Sequence, residues 1–272
     1  MHILACEQQW VQLAAELGGD RVTAQNLLGK NRDPHHISPT PGALFLTRTA
    51  DLLICNDIRD EPHLSALLAR SHNPKVQPGR IGYIEASAYV PAPPTTASGH
   101  AVARRHVHND PHNILLVAKV LSDRMAQLDQ ENAREYRVRY DEFSAKWNDA
   151  IRRWETKAVP LHNIAIVEQR ESCAYLCRWL GIREVARLEW SGTGSIERAA
   201  MRTALDAFAN NTVKMVVQGP YHTSAAVMWL QREKHLPVAI IRTIASDGTG
   251  VSGLYSMFDD AIAGMLAAAS QG

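Results

Sequence analysis

Imidazole nitrogen on a divalent metal ion is the chemistry this sequence offers most openly. Twelve histidines occur among 272 residues, and they are unevenly placed. His35 and His36 are adjacent, while His100, His106, His108 and His112 fall within 13 positions. Neutral imidazole is the commonest protein ligand for zinc and related ions, and clustered imidazoles commonly mark metal sites. His35 follows Asp33-Pro34 in a loop after a strand-like run, and the proline stiffens that loop. His106 and His108 precede Pro111, which suits the first position of a helix. Together these side chains could supply two or three nitrogens. Asp33 suits either a carboxylate that orients His35 or a turn residue. Asp110 reads first as a helix N-cap.

The four cysteines have no zinc-finger or redox spacing. Cys6 and Cys55 each end an apolar run. If those runs are neighbouring strands, the sulfurs could meet in a disulfide, which points to an oxidising compartment; otherwise they are two small buried residues. Cys173 and Cys177 lie four apart on an expected helix, a spacing that suits reduced core residues better than a disulfide.

The elements that must position these groups alternate strand and helix almost throughout. His2–Cys6, Arg21–Leu28 and Asp51–Asn56 read as strands. Gln8–Leu17 reads as a helix stopped at Gly18-Gly19, and further helices are expected after Pro41, near His63–Ser71 and over Ile114–Leu128. Val90–Gly99, with three prolines, reads as a loop. Gln130–Lys157 contains no glycine or proline, and its aromatic residues recur every three to four positions. That pattern predicts one helix of roughly 40 Å. The alternation then restarts with strands at Ile164–Glu168, Val185–Trp190, Val213–Gln218 and Val238–Thr243. Their helices are Ser172–Leu180, stopped by Gly181, then Ser195–Asn210, Ser224–His235 and a last one from Leu254. The expected fold is α/β: two parallel-sheet βα lobes, 1–129 and 158–272, bridged by one long helix over 130–157, with a ligand cleft between the lobes. Ligands of open parallel sheets bind beyond the carboxyl ends of the strands, so the segments there are the ones to inspect.

Composition narrows the function. The chain is 46% hydrophobic and 21% charged, with 29 Lys+Arg against 28 Asp+Glu, a net charge of +1. Such a balance excludes a disordered chain and gives no basic excess for nucleic acid. Apolar runs such as Ile114–Val117 and Ala225–Leu230 are too short to cross a bilayer. The sequence opens directly on a strand-like run, so the expectation is a cytosolic protein or one whose leader has been removed.

Motifs along nearly the whole chain resemble those of the zinc- and manganese-binding solute-binding proteins of bacterial ABC importers. They are Ile3-Leu4-Ala5-Cys6-Glu7 with Trp10, Glu16 to Val22, Asp33-Pro34-His35-His36 with Pro41, and Ala50-Asp51-Leu52-Leu53. His106 with Asp110-Pro111 and Asn113 follows, then Leu128-Asp129 with Glu131-Asn132-Ala133. Tyr175-Leu176 with Trp179-Leu180-Gly181, and Leu254-Tyr255 with Asp259 to Ile262, complete the series. The resemblance implies a monomeric periplasmic protein, not an enzyme. It would capture a divalent transition metal, Zn2+ first and Mn2+ or another as alternatives, and deliver it to a membrane permease. His35 falls on the family's first ligand and His106 on its second. His108 stands where the family often has an aromatic residue. The family's third ligand position is occupied here by Arg170. Arg242 lies near the fourth, with Asp247 the nearest carboxylate.

Guanidinium has no lone pair for a metal and would repel a bare Zn2+ by several kcal/mol at ~4 Å. His35, His106, His108 and Asp247 are therefore the expected metal set, with Glu168, Glu171, His162 and His222 as substitutes. A second reading has Arg170 and Arg242 gripping an anionic metal chelate or an oxyanion. A third, of another class, is a metal-dependent hydrolase using His106, His108 and Asp110, because His-x-His-x-Asp resembles the metallo-β-lactamase-like signature. The βα alternation does not fit the antiparallel sandwich of those enzymes.

Overall fold

The structure, a computed structural model, describes residues 1–27, 40–57, 62–91, 104–169, 173–188, 197–210, 212–220, 225–242, 244–246 and 251–271. The chain divides into two compact units. The first comprises Met1–Pro91, Pro111–Ile151 and Ile244–Ser256, and the second Ala92–Asp110, Arg152–Thr243 and Met257–Gly272.

In the first unit, β1 (His2–Ala5), β2 (Thr23–Asn26), β3 (Leu52–Cys55) and β4 (Tyr83–Glu85) form a parallel sheet in the order β2-β1-β3-β4. Ile3 lies opposite Ala24 on one side and Leu52 on the other. Central β3, Leu-Leu-Ile-Cys, is buried throughout, as expected for a strand covered on both faces, whereas edge strand β2 alternates exposed and half-buried residues. The helices α1 (Gln8–Gly18), α2 (Pro41–Thr49), α3 (Pro62–Ser71) and α4 (Pro111–Leu128) belong to this unit. Helix α1 stops where Gly19 turns to a φ of 51° and its N–H reaches the Ala15 carbonyl. Helix α2 starts where Thr40 Oγ1 accepts from the Ala43 N–H at 3.1 Å, with Pro41 next. Leu4, Leu53, Leu64, Leu67 and Val76 pack into one core cluster.

The second unit holds β5 (Ala165–Glu168), β6 (Arg183–Arg187), β7 (Val213–Gln218) and β8 (Val238–Ile240), again parallel, in the order β6-β5-β7-β8. Strand β5 shifts register against both β6 and β7, around Ala165–Val167. Helices α6 (Ala174–Leu180), α7 (Glu197–Asn210) and α8 (Ala225–Glu233) complete its βα repeats. Gly181, in the left-handed region at φ 65°, caps α6 through bonds to the Arg178 and Cys177 carbonyls. Helices α5 (Ala133–Ala158) and α9 (Ser252–Ala269) give residues to both units. In the first unit Trp147 stacks on Phe143, meets Tyr255 edge-on and donates to the Pro111 carbonyl at 2.9 Å. In the second, Trp154 packs on Phe258 and donates to Asp259 at 2.8 Å.

The fold class expected from the sequence is the one observed, with local differences. The long helix begins at Ala133, not Gln130, because Gln130–Asn132 form a tighter 3-10 turn. Asp129 accepts there from Asn132 Nδ2 at 2.9 Å and from the Tyr136 hydroxyl at 2.6 Å, which holds that turn. The second strand shortens to Thr23–Asn26, since Gly19–Arg21 also form a 3-10 turn. Strand β6 starts at Arg183, just after the Gly181 cap, and the last helix starts at Ser252. Strand β4 was not expected. Among the described residues, no helix is long and apolar enough to cross a membrane.

Candidate metal centre

The carboxyl end of the first sheet is fixed covalently. Cys6, just past β1, and Cys55, the last residue of β3, are joined by a disulfide with their Cα atoms 4.9 Å apart. Adjacent parallel strands bring the two sulfurs together, so the disulfide alternative holds. Beside it, Asn56 accepts from Trp10 Nε1 at 3.0 Å and its carbonyl accepts from the Ser87 N–H at 2.9 Å. Ser87 Oγ lies 3.2 Å from Asp57 Oδ2 and 3.3 Å from Glu85 Oε1. These polar groups sit where the βα geometry predicts a ligand end. His35, with Asp33 and His36, lies outside the described residues.

His106 and His108 lie in the second unit, in the 3-10 turn Arg104–Asn109. His106 breaks that turn, with φ −116° and ψ 31°. Its side chain is half-buried, and His108 is 2% exposed. The two rings stand edge to face with centroids 5.9 Å apart. With Zn–N distances near 2.0–2.1 Å, two imidazoles on one ion hold their centroids about 5–6 Å apart. The turn packs on α6, where Asp110 pairs with Arg178 at 3.6 Å and Arg178 lies 5.5 Å from the Tyr175 ring centre. Asp110 therefore faces a guanidinium. His112, inside α4, is exposed.

Glu168 ends β5 and is fully buried. Its Oε1 accepts from the Cys173 N–H at 2.7 Å and from the Cys173 thiol at 3.0 Å, and its Oε2 stands 3.8 Å from Arg187. Through Oε1 this carboxylate braces the βα connection. A hydrogen bond with Cys177, burial, and the charges of Cys177 and Glu168 together push the Cys173 thiol well above its ordinary range. Cys173 and Cys177 are free and buried, as the spacing led one to expect. His162 lies before β5, at the amino end of that strand, and is exposed, which removes it as a substitute ligand. Arg242 follows β8 at the carboxyl end of the sheet and is exposed.

Arg170, Glu171, His222 and Asp247 lie outside the described residues. Among the described residues, no three His, Cys, Asp or Glu side chains converge as a metal-holding group. His106, His108 and Asp110 are all described, so the hydrolase triad does not assemble.

Sequence reasoning missed the glutamines at the strand ends. Gln9, in the first turn of α1 after β1, and Gln169, directly after β5, are each 0% exposed. Gln218 ends β7, and its Oε1 is buried without a hydrogen-bond partner among the described residues. The available signal was position alone, since the residue just past a parallel strand is where ligand contacts arise.

Three solved structures share this fold over nearly their whole length. A cadmium-bound periplasmic metal-binding protein from Candidatus Liberibacter asiaticus is 17% identical, with 98% of each chain covered and a TM-score of 0.79. The solute-binding protein FpvC of Pseudomonas aeruginosa, in complex with Ni2+, is 16% identical over 99% of this chain and 97% of its own, with a TM-score of 0.83. A zinc-bound ZnuA lacking residues 138–173 is 20% identical over 100% and 98%, with a TM-score of 0.82. At such identities the likeness establishes the fold. No curated protein matches the chain. The family described as ZnuA, zinc-uptake complex component A, periplasmic, matches residues 3–268. With that match over almost every residue, the chain belongs to the ZnuA family and is a metal-capturing solute-binding protein.

Proposed function

We propose that this protein captures Zn2+ in the periplasm and delivers it to the membrane permease of an ABC importer, acting as a monomer without catalysis. His35 and His106 are the principal ligands, with His108 or Asp247 as the third. The observation that carries this reading is the His106–His108 pair: two imidazoles 5.9 Å apart, at a kink in the 3-10 turn and next to the family's Asp-Pro motif. The related structures hold cadmium, nickel and zinc, which supports a divalent ion without selecting one. Nitrogen ligands bind several of these ions, so availability joins geometry in deciding. Elemental analysis of the purified protein, with calorimetric titration of Zn2+ and Mn2+ into stripped protein, is the direct test. His35→Ala should weaken Zn2+ binding at least about tenfold, because water replaces one of few ligands. His36→Ala should change it little. Unchanged affinity in His35→Ala would move the site.

A second reading is favoured by the exposed Arg242 at the end of β8. Arg170 and Arg242 would grip an anion that bridges to the metal or carries it as a chelate. Citrate or phosphate should then tighten Zn2+ binding in wild type and not in Arg170→Ala. No anion effect in either protein would end this reading.

A further inference from the structure

Cys173 and Cys177 are the two thiols outside the Cys6–Cys55 disulfide, and both lie in the second unit. They are 0% and 4% exposed, and the capture of Zn2+ by imidazole makes no use of them. Cys173 stands at the N-cap of α6, and the Cys177 N–H closes the first turn on its carbonyl at 2.7 Å. The two thiols are hydrogen-bonded to each other, and Glu168 Oε1 accepts from the Cys173 N–H at 2.7 Å and from its thiol at 3.0 Å. A thiol has one proton to give. That of Cys173 goes to Glu168, so that of Cys177 goes to the Cys173 sulfur. The carboxylate holds the first sulfur, and the first sulfur holds the second.

Spacing decides what such a pair can do. Side chains four apart share a helix face, with Cβ atoms about 5–6 Å apart. A disulfide needs about 3.5–4.5 Å, so this pair stays reduced unless the backbone shifts. An ion between the sulfurs lengthens the bridge: two metal–thiolate bonds of about 2.3 Å span about 4.6 Å in line, which the Cβ spacing accommodates. The number of donors then selects the ion. Closed Zn2+ sites take four ligands, and among the described residues no three His, Cys, Asp or Glu side chains converge. Two sulfurs shielded from water suit a soft ion of low coordination number, and thiolates favour Cu+.

We propose that Cys173 and Cys177 form a second metal site, a two-sulfur clamp for a soft monovalent cation of the Cu+ class, separate from the imidazoles. Two S–H bonds break, two S–Cu bonds form, and both protons pass to solvent; copper keeps its oxidation state. The test gives Cu+, as its acetonitrile complex without oxygen, to wild type, Cys173→Ser, Cys177→Ala and His106→Ala, with bathocuproine disulfonate as competing chelator. Wild type should take one Cu+ per chain from the chelator and gain thiolate-to-copper absorption in the ultraviolet. Cys173→Ser and Cys177→Ala should each lose both, while keeping the Zn2+ affinity of wild type in calorimetry. His106→Ala should do the reverse, so failure of this proposal and failure of the imidazole site are separate results. Copper-edge X-ray absorption on wild type needs no variant, and it should show two sulfur neighbours. A wild type that takes no Cu+ from the chelator would overturn the proposal, as would a copper spectrum with nitrogen neighbours alone. Mass spectrometry that finds Cys173 and Cys177 joined as a disulfide after exposure to air would overturn it too, because the spacing argument would then be wrong.

Discussion

The two sheets have the same strand order and direction, yet their carboxyl ends are secured by different chemistry. In the first unit, β1 and β3 are linked at their carboxyl ends by Cys6–Cys55, and their register is regular. In the second, β5 carries register shifts in its first half, and at its carboxyl end Glu168 braces the connection to α6 through Cys173 while facing Arg187. The comparison shows one topology supporting a covalently fixed end and an end held by a buried carboxylate. Either end is opened by removing one side chain, but only the first also responds to reductant.

The largest effect should come from opening the first end. Cys6 and Cys55 are 49 residues apart in sequence, and a cross-link of that span is worth about 4 kcal/mol through the unfolded chain. Cys6→Ala/Cys55→Ala should lower the chemical denaturation midpoint markedly, and reductant should do the same to wild type. A midpoint insensitive to reductant would show that the thiols are not paired in solution.

The second end should respond less, but with a chemical signature. Glu168→Ala leaves the buried Cys173 N–H and Arg187 without their shared carboxylate, a loss of about 2 to 3 kcal/mol. In wild type the Cys173 thiol keeps its proton and is buried, so alkylation under native conditions should be slow. Alkylation should quicken in Glu168→Ala, where one of the influences holding the proton is gone. An equal rate would mean that burial and Cys177 alone control this thiol.

How much of this contrast was legible in the sequence follows from the range of the interactions. Apolar runs such as Leu52–Cys55, and glycine stops at Gly19 and Gly181, are local signals, and they placed most elements. The possible meeting of Cys6 and Cys55 was visible because each closes a run in a parallel repeat. Strand β4 was not, since Tyr-Ile-Glu is too short to show a period and is specified by pairing with Leu53–Cys55. The role of Glu168 was also hidden: a carboxylate at a strand end looks like a ligand until its hydrogen-bond partners are known. His106 and His108 stood out by residue type, whereas Gln9 did not, because an amide is conspicuous only once it is buried without a partner.

Acid should separate the units more gently. In the first, burial alone would raise Asp51, but the His2 N–H and Lys75 outweigh it and hold that carboxyl below its usual range. The Tyr136 hydroxyl and Asn132 amide do the same for Asp129. A folded value below the unfolded one stabilises above the ordinary carboxylate range, and that stabilisation is lost as pH falls through the folded value. The first unit should therefore weaken below about pH 4. Asp51→Asn should flatten that limb, with less than about 1 kcal/mol lost at neutral pH, because Lys75 is 59% exposed and solvent screens the pair. A limb unchanged in Asp51→Asn would assign the acid sensitivity to other groups.

The smallest stability effect is expected at Arg178, and it bears on the imidazole pair. Arg178 is 36% exposed in its side chain and Asp110 10%, and their charged atoms are 3.6 Å apart, beyond a good hydrogen bond. A partly exposed pair of this kind contributes under about 1 kcal/mol, so Arg178→Ala should shift the melting temperature by no more than about 3 °C. The consequence for metal is sharper. Asp110 stands two residues from His108, and the guanidinium now neutralises it. Removing Arg178 leaves a carboxylate whose field favours a cation at the turn. Zn2+ binding should then tighten about two- to fivefold at low salt, and the gain should fade as added salt screens it. His106→Ala, by contrast, should weaken binding at every salt concentration. If Arg178→Ala weakens binding as well, the contact between the turn and α6 is itself needed to hold the two rings in place.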